Sequence, residues 1–454
     1  MSSLYISAAK KSSGKTSISI GICAALKEKG FKVQTFKKGP DYIDPLWLSQ
    51  ASGQPCFNLD FHTMSPEEIL ATFVTKTSCS NFNLIEGNKG LFDGIDVEGK
   101  FSNAELSAQL KTPVVLVLDT EGMTRGIAPL LLGHLNFDKQ IKITGIILNK
   151  VGGIRHEKKL RAAIEYYTDV KIFGAVQRNR NIIIDERHLG LVPSNEMRES
   201  TKLINSIRQQ ISSEVDLDLL INLHKPSVIT EKKDISFKNS KTSLKKIRIG
   251  YAKDSAFGFY YASDLMALES AGAEIIPFSP ITDKILPNVD GIFIGGGFPE
   301  TNLEKLEGNQ KIGRQIKSFI ENGGPSYAEC GGLMYLCRKI TWNKQQSEML
   351  GIIPADIVMH DHPKGRGYVL LNELDNHPWP SGAEIPGHEF HYSTMENLDK
   401  NVKFAYKVER GFGVDGNNDG VLVNNLLASY SHLRDTSKNR WASRFVEYVR
   451  KHKN

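Results

Sequence analysis

The sequence predicts an α/β protein of two domains, each organised around a mostly parallel sheet. Three observations carry that expectation. Short apolar runs rich in β-branched residues alternate with helix-spaced segments through both halves of the chain. A glycine-lysine turn, Ser12-Ser13-Gly14-Lys15-Thr16, follows the first such run and opens a helical pattern. A second strand-turn-helix pattern, SYAECGGLMYL at 326–336, stands in the second half.

Leu4–Ala8 reads as the first strand and Ser17–Lys29 as the helix after the turn. Val33–Phe36, Phe82–Glu86, Val114–Asp119 and Ile143–Asn149 follow as apolar runs, with helical stretches between several of them. Near-continuous apolar strands of this kind belong to a parallel sheet covered on both faces. The composition changes after about residue 223. Residues 224–246 are polar, charged and poor in apolar periodicity, which marks a linker. Ile247–Tyr251 opens a second alternation, continued by Gly291–Ile294, the Gly295-Gly296-Gly297 turn and the strand before Cys330. The expected domains are therefore 1–223 and 247–454, with no internal repeat.

Bulk properties exclude several function classes. The chain has 454 residues, 40% of them hydrophobic and 24% charged, which is ordinary for a globular protein that buries its own cores. The net charge of +6 suits an anionic substrate. Without a dense basic block beside aromatics it gives no case for nucleic acid. Five cysteines form no CxxC pair, and an odd count points to free thiols in a reducing interior. No signal peptide and no apolar run of membrane-spanning length is read, so a cytoplasmic protein without a membrane partner is expected.

The loop from Ala9 to Thr16 lies where a phosphate-binding loop must lie, between a strand and a helix. Its backbone N–H groups at Ser12, Ser13 and Gly14 and the helix N-terminus would hold phosphates, and Lys15 would neutralise them. Thr16 would offer its hydroxyl to magnesium. Ala9 replaces the usual first glycine. Lys10 marks a variant of the loop found in dimeric ATPases and synthetases, which allows a homodimer. Acidic residues then gather at strand ends, where ligands collect in parallel sheets: Asp41 and Asp44 beside Lys37 and Lys38, then Glu86 and Asp93, then Asp119. Several such carboxylates near one phosphate loop point to metal or substrate work.

Cys330 would end a strand and start a helix on Gly331-Gly332. Such a turn exposes the sulfur, and the helix N-terminus favours the thiolate. The N–H of Gly331 can stabilise an oxyanion, and the turn with Gly296 and Gly297 can complete that hole. His432, following a late strand, is the expected base, with His388 and His391 as rivals. The pairs His360/His362 and His388/His391 lack a third ligand at supporting spacing and give a metal centre little support.

At these residues the chain resembles the cobyrinic acid a,c-diamide synthase family over nearly its whole length, the linker excepted. The resemblance rests on Phe36–Pro45 (FKKGPDYIDP), Asn58-Leu59-Asp60, Glu86–Gly94, Gly295–Glu300, Glu329–Gly332 and Gly387–Ser393 (GHEFHYS), in that order. It implies an N-terminal ATP-dependent domain like dethiobiotin synthetase and a C-terminal class I-type glutaminase. The implied chemistry runs in two halves. Cys330, activated by His432, releases ammonia from glutamine; ATP at Gly14–Thr16 phosphorylates an acetate carboxylate of a tetrapyrrole-derived macrocycle, which ammonia passed between the domains converts to an amide. Two rounds give the a,c-diamide of corrinoid (vitamin B12) synthesis. By the family's pattern Asp41, Asp44, Glu86 and Asp93 bind magnesium or the acetate, while charge alone assigns Lys37 and Lys38 to the substrate's carboxylates.

Two departures qualify that picture. Many class I glutaminases carry a glutamate two residues after the histidine, but position 434 is Arg. The third residue of a triad is thus absent there, and a Cys–His dyad suffices in principle. Lys38 together with Pro45–Leu48 resembles relatives that amidate sirohaem or nickel-sirohydrochlorin, which leaves the same reaction on another tetrapyrrole as the alternative. A cobyric-acid-synthase-like amidase would lack the GPDYID run. An ATPase switch with an inactive glutaminase half is opposed by the intact Cys330, His432 and both glycine turns.

Overall fold

The computed structural model describes residues 2–179, 182–187, 190–222 and 246–453. The expected linker therefore lies outside the described residues, Lys246 excepted. The chain divides into two compact units, one of Met1–Phe61 and Pro66–Ile235, the other of His62–Ser65 and Ser236–Asn454.

The first unit alternates β1 (Ser2–Ala8), α1 (Lys15–Glu28), β2 (Val33–Lys38), α2 (Ile43–Ser52), β3 (Phe57–Leu59), α3 (Pro66–Thr77), β4 (Phe82–Glu86), α4 (Asn103–Gln109), β5 (Val114–Asp119), α5 (Ile127–Phe137), β6 (Ile143–Val151), α6 (Ile154–Tyr167) and β7 (Lys171–Gln177). A two-residue ribbon of β8 (Glu186–Arg187) and β9 (Gly190–Leu191) precedes α7 (Ser200–Glu214) and α8 (Leu217–Asn222). The seven main strands form one sheet in the order β3-β2-β4-β1-β5-β6-β7, with every neighbour parallel. Parallel pairing follows from the crossover helices. It also explains why β1, β4 and β5 carry buried apolar residues on both faces. Leu4, Ile6, Leu84, Val115 and Val117 share a core with Ile18 and Ile22 of α1 and Ile207 and Ile211 of α7. Each such side chain contributes about 1.5–3 kcal/mol through burial. The core holds α1, and so the loop before it, against the carboxyl end of β1.

The second unit begins with β10 (Ile247–Ala252), α9 (Ala262–Ser270), β11 (Ala273–Phe278) and β12 (Gly291–Ile294). A 3-10 turn at Pro299–Asn302 leads to α10 (Leu303–Gly308), α11 (Gln310–Glu321), β13 (Ser326–Glu329) and α12 (Gly331–Leu336). Helix α11 shows why it packs: Ile312, Ile316 and Ile320 recur at four-residue spacing and are fully buried, while lysines and an arginine face outward. The chain then turns to β structure in β14 (Lys339–Trp342), β15 (Gln345–Glu348), β16 (Asp356–Met359), β17 (Gly365–Glu373), β18 (Ile385–His391), β19 (Ser393–Glu396), β20 (Lys403–Arg410), β21 (Asn418–Val423) and β22 (Leu426–Ser429), before α13 (Trp441–His452). Nine strands form a mixed sheet in the order β11-β10-β12-β13-β22-β21-β20-β17-β18, and four more form β15-β14-β16-β19. The first five strands of the larger sheet are parallel, the rest antiparallel. Strand β13 is therefore central, paired with β12 and β22, and its carboxyl end carries Cys330.

Candidate functional sites

In the first unit, β1 ends at Ala8 and the chain turns through Ser12 (φ 60°) and Gly14 (φ 86°) into α1. Gly14 caps the helix in the left-handed region, which glycine adopts without steric cost. The Ser13 hydroxyl donates to the Lys10 carbonyl at 2.9 Å, and Asn149 Nδ2, near the end of β6, donates to the Ser13 carbonyl at 2.8 Å. Lys150 Nζ donates to the Ser12 carbonyl at 3.2 Å and pairs with Asp119 at 2.9 Å; Lys10 stands 4.0 Å from the same carboxylate. Asn149 and Lys150 therefore brace the same loop, although no motif marks them. Their only signal was their position at a strand end.

Inward from the loop, five side chains converge. Thr16 Oγ1 donates to Glu86 Oε1 at 2.8 Å and lies 3.4 Å from Asp44 Oδ2. Lys37 Nζ pairs with Asp44, with Glu86 at 2.9 Å and with Asp41 at 3.7 Å. Lys37 is almost fully buried and is turned into the carboxylate cluster. Burial opposes its charge, but Asp44, Glu86 and Asp41 outweigh that and hold the ammonium form firmly. Burial pushes Glu86 up. Asp44 is also buried, but Lys37 brings it below the usual carboxylate range. Burial and then the Asp44 charge push Asp41 up, so the two aspartates three residues apart sit in opposite states of ease.

Lys15 Nζ donates to the Lys89 carbonyl at 2.6 Å, and burial followed by the Lys37 charge lowers its pKa to about 8. Lys38 is buried too, donates to Asn88 Oδ1 at 3.2 Å, and is lowered to about 8, mainly by burial. Asp93 Oδ2 accepts from the Gly90 amide at 2.8 Å, shaping the loop after β4. Asn103, fully buried at the start of α4, organises that loop. Its Oδ1 accepts from the Asn88 amide at 3.1 Å and from the Tyr5 hydroxyl at 3.0 Å, and its Nδ2 donates to the carbonyls of Gly90, at 2.6 Å, and Asn88. It lies outside every motif, and only the folded loop shows its part.

In the second unit, Cys330 has φ 44° and ψ −102°, a conformation that a non-glycine residue adopts only under surrounding constraint. Its amide donates to the Ser429 carbonyl at 2.7 Å, locking the elbow to β22. The glycine turn after β12 packs on the elbow. A side chain at Gly332 would meet the Ile294 carbonyl at 2.1 Å, and one at Gly296 would meet His432 Cε1 at 2.6 Å. The carbonyl of Gly296 accepts from the amides of Gly258 and Phe259 at 3.1 Å, fixing the turn's orientation.

His432 is hydrogen-bonded to Cys330 and, through Nδ1, to Glu329 Oε2 at 3.1 Å. Burial alone would favour the neutral ring; the bonds to Cys330 and Glu329 outweigh it and raise the imidazole's pKa. Asp419 shapes the segment that bears His432, accepting from the amides of Gly420, Tyr430 and Ser431 at 2.8, 3.0 and 2.9 Å. Of the rival histidines, His388 stacks on His432 at 5.0 Å and exchanges backbone hydrogen bonds with it. Burial, then the neighbouring His432 and Arg434, keep His388 neutral. His391 stacks on Tyr430 at 4.0 Å, and its Nδ1 lies 2.9 Å from the Ser393 carbonyl. Arg434 is buried with its guanidinium 4.6 Å over the Tyr261 ring. His360 Nε2 lies 2.8 Å from Thr394 Oγ1, and His362 is exposed.

Together these arrangements offer an anion cradle beside oxygen donors and a thiol beside a basic imidazole. Comparison with known proteins finds two family models. Residues 4–192 match the CobQ/CobB/MinD/ParA nucleotide binding domain, and residues 248–439 match the CobB/CobQ-like glutamine amidotransferase domain. Among curated relatives, the cobyrinate a,c-diamide synthase of Magnetococcus marinus is 44% identical over 98% of this chain and 97% of its own. Those of Picrophilus torridus and Archaeoglobus fulgidus are 42% and 39% identical, over 98% and 97% of this chain and 98% and 96% of theirs. No described helix is long and apolar enough to cross a membrane.

Proposed function

The chain belongs to the cobyrinate a,c-diamide synthase family, and from that premise we propose that it amidates the a and c acetate carboxylates of cobyrinic acid, using ATP and the amide nitrogen of glutamine. It is a glutamine-dependent amidating ligase. The observation that supports the residue assignment best is the Cys330–His432–Glu329 contact set in a chain that also holds Lys15 and Thr16 beside Asp44 and Glu86.

In the glutaminase half, Cys330 Sγ attacks the side-chain carbonyl of glutamine while the amide N–H groups near Gly331, Gly296 and Gly297 hold the oxyanion. The C–N bond breaks, and His432 delivers the proton that lets ammonia leave. Water then cleaves the thioester, giving glutamate and the free thiol. In the synthetase half, an acetate carboxylate oxygen attacks the γ-phosphorus of ATP and ADP leaves. Ammonia displaces phosphate from the acyl phosphate, giving the amide, and a second round gives the diamide.

The backbone of Ser12, Ser13 and Gly14, with Lys10 and Lys15, is assigned to the phosphates. Magnesium fits the donor set: Thr16, Asp44 and Glu86 offer hard oxygens, and Glu86 Oε2 is buried without a hydrogen-bond partner among the described residues. A cation, the Lys37 ammonium, already stands among those carboxylates. When bound, the metal would offset phosphate charge during transfer. Lys38, Asp41 and Asp93 are assigned to the acetate and its loop, with Lys37 ordering the cluster. The proposed reaction is cytoplasmic, and the proposed homodimer would be checked by sedimentation with and without ATP.

The test offers cobyrinic acid, nickel-sirohydrochlorin and sirohaem in parallel, with ATP, magnesium and glutamine, and reads products by mass. Diamide from cobyrinic acid alone is expected. Amides only on a sirohydrochlorin-type ring would overturn the substrate and leave the site assignments standing.

A further inference from the structure

The position two residues after His432, where many class I glutaminases carry a glutamate, holds Arg434, and its guanidinium lies over Tyr261. An imidazole that must receive a thiol proton still needs a fixed tautomer, because the wrong one presents a hydrogen to the sulfur. The structure supplies an acceptor from an unexpected place. Glu329, immediately before Cys330, is 2% exposed, and its Oε2 lies 3.1 Å from His432 Nδ1.

Resting on the glutaminase reading above, we infer that Glu329 is the positioning residue of the thiol site, fixing His432 with its Nδ1 hydrogen on the carboxylate and Nε2 towards Cys330. The carboxylate itself cannot rotate away. Its Oε1 accepts from the Tyr327 hydroxyl at 2.7 Å and from the Leu433 amide at 3.1 Å, so Oε2 is left for the imidazole. Glu329 and Leu433 flank the two reacting residues in sequence, so the acceptor, the nucleophile and the base are set by one junction of β13 with the segment after β22. Among the described residues, the groups facing His432 include Cys330 and Glu329 from the elbow and His388 from β18. His388 is held neutral by burial, then by His432 and Arg434, and so is no counter-ion.

Glu329→Gln discriminates this role from simple packing. Two donors, Tyr327 and Leu433, pin the amide oxygen at the Oε1 side, which turns the NH2 group towards Nδ1. Nδ1 must then accept, the ring hydrogen moves to Nε2, and the base function is lost without a change of shape. The expected result is a glutamine-dependent kcat lower by about 10³–10⁴-fold, as for a wrong tautomer in related triads. KM for glutamine and ammonia-dependent synthesis stay near wild type.

A second readout needs no macrocycle. The pH profile of Cys330 alkylation by iodoacetamide should move to higher pH in Glu329→Gln. Glutamine turnover within about threefold of wild type, with an unchanged alkylation profile, would overturn the proposal. Should Glu329→Gln lose the ammonia-dependent rate as well, Glu329→Asp decides. It keeps an acceptor, so wild-type-like alkylation supports the role and a displaced profile contradicts it. Absence of glutamine-dependent amidation in the wild type would instead sink the enzymatic reading, since the thiol profile is measured independently of it.

Discussion

Lys15 sits under opposing influences. Burial and the Lys37 charge lower its pKa to about 8, against the pull of Glu86, Asp44 and Asp93. Phosphate binds the charged form, so the sign is fixed: above pH 8 the free protein increasingly holds a neutral lysine, and ATP binding must then take up a proton. ATP affinity should fall between pH 8 and 9, with an uptake approaching about one proton per ATP by calorimetry in buffers of different ionisation heat. Flat affinity and no uptake would show that Lys15 stays charged. The charge of Lys37 was legible in the sequence, but the direction of its side chain was not, because β2 alternates faces and only folding shows that Nζ ends between Asp44 and Glu86. Asp44→Asn, which leaves Lys37 with weaker partners and removes an oxygen donor, should lower synthesis from glutamine and from free ammonia alike, by about 10²-fold or more. An unchanged ammonia-dependent rate would remove Asp44 from the site.

At the scale of elements, the parallel strands were legible because burial on both faces writes itself as a continuous apolar run, as in Val114–Asp119. The antiparallel half of the second sheet was not. In β17, Gly365, Gly367 and Arg366 interrupt the alternation, and β13 pairs with β22 across almost a hundred intervening residues. No local pattern reports such a pairing. The motifs pointed to Cys330 and His432, whereas Glu329 as a partner, Asn103 and Asp419 became visible only through three-dimensional contacts.

Two variants test the supporting elements. Gly296→Ala puts a methyl at 2.6 Å from His432 Cε1. It should displace the imidazole and lower glutamine-dependent turnover by about 10²-fold, since small misplacements of a reacting group cost that much. Ammonia-dependent synthesis should persist; an unaffected glutamine rate would show that the turn yields. Asn103→Ala leaves several buried groups of the loop after β4 without their partner. A loss of about 1–3 kcal/mol in denaturant unfolding of the first unit is expected, with weaker ATP use from either nitrogen source. Wild-type stability and rate would show that Asn103 is dispensable.

Across the whole molecule, each candidate site lies within its own compact unit: Gly14–Thr16 with Asp44 and Glu86 in the first, Cys330 with His432 and Glu329 in the second. Under the proposed function, the second unit's thiol only makes ammonia and the first unit's cluster alone activates the acid. The most direct measurement is the amidation rate of Cys330→Ala with glutamine and, separately, with ammonium salt, on one preparation. Loss of the glutamine rate with the ammonium rate retained is the predicted result. Loss of both in a folded protein, or retention of both, would contradict it.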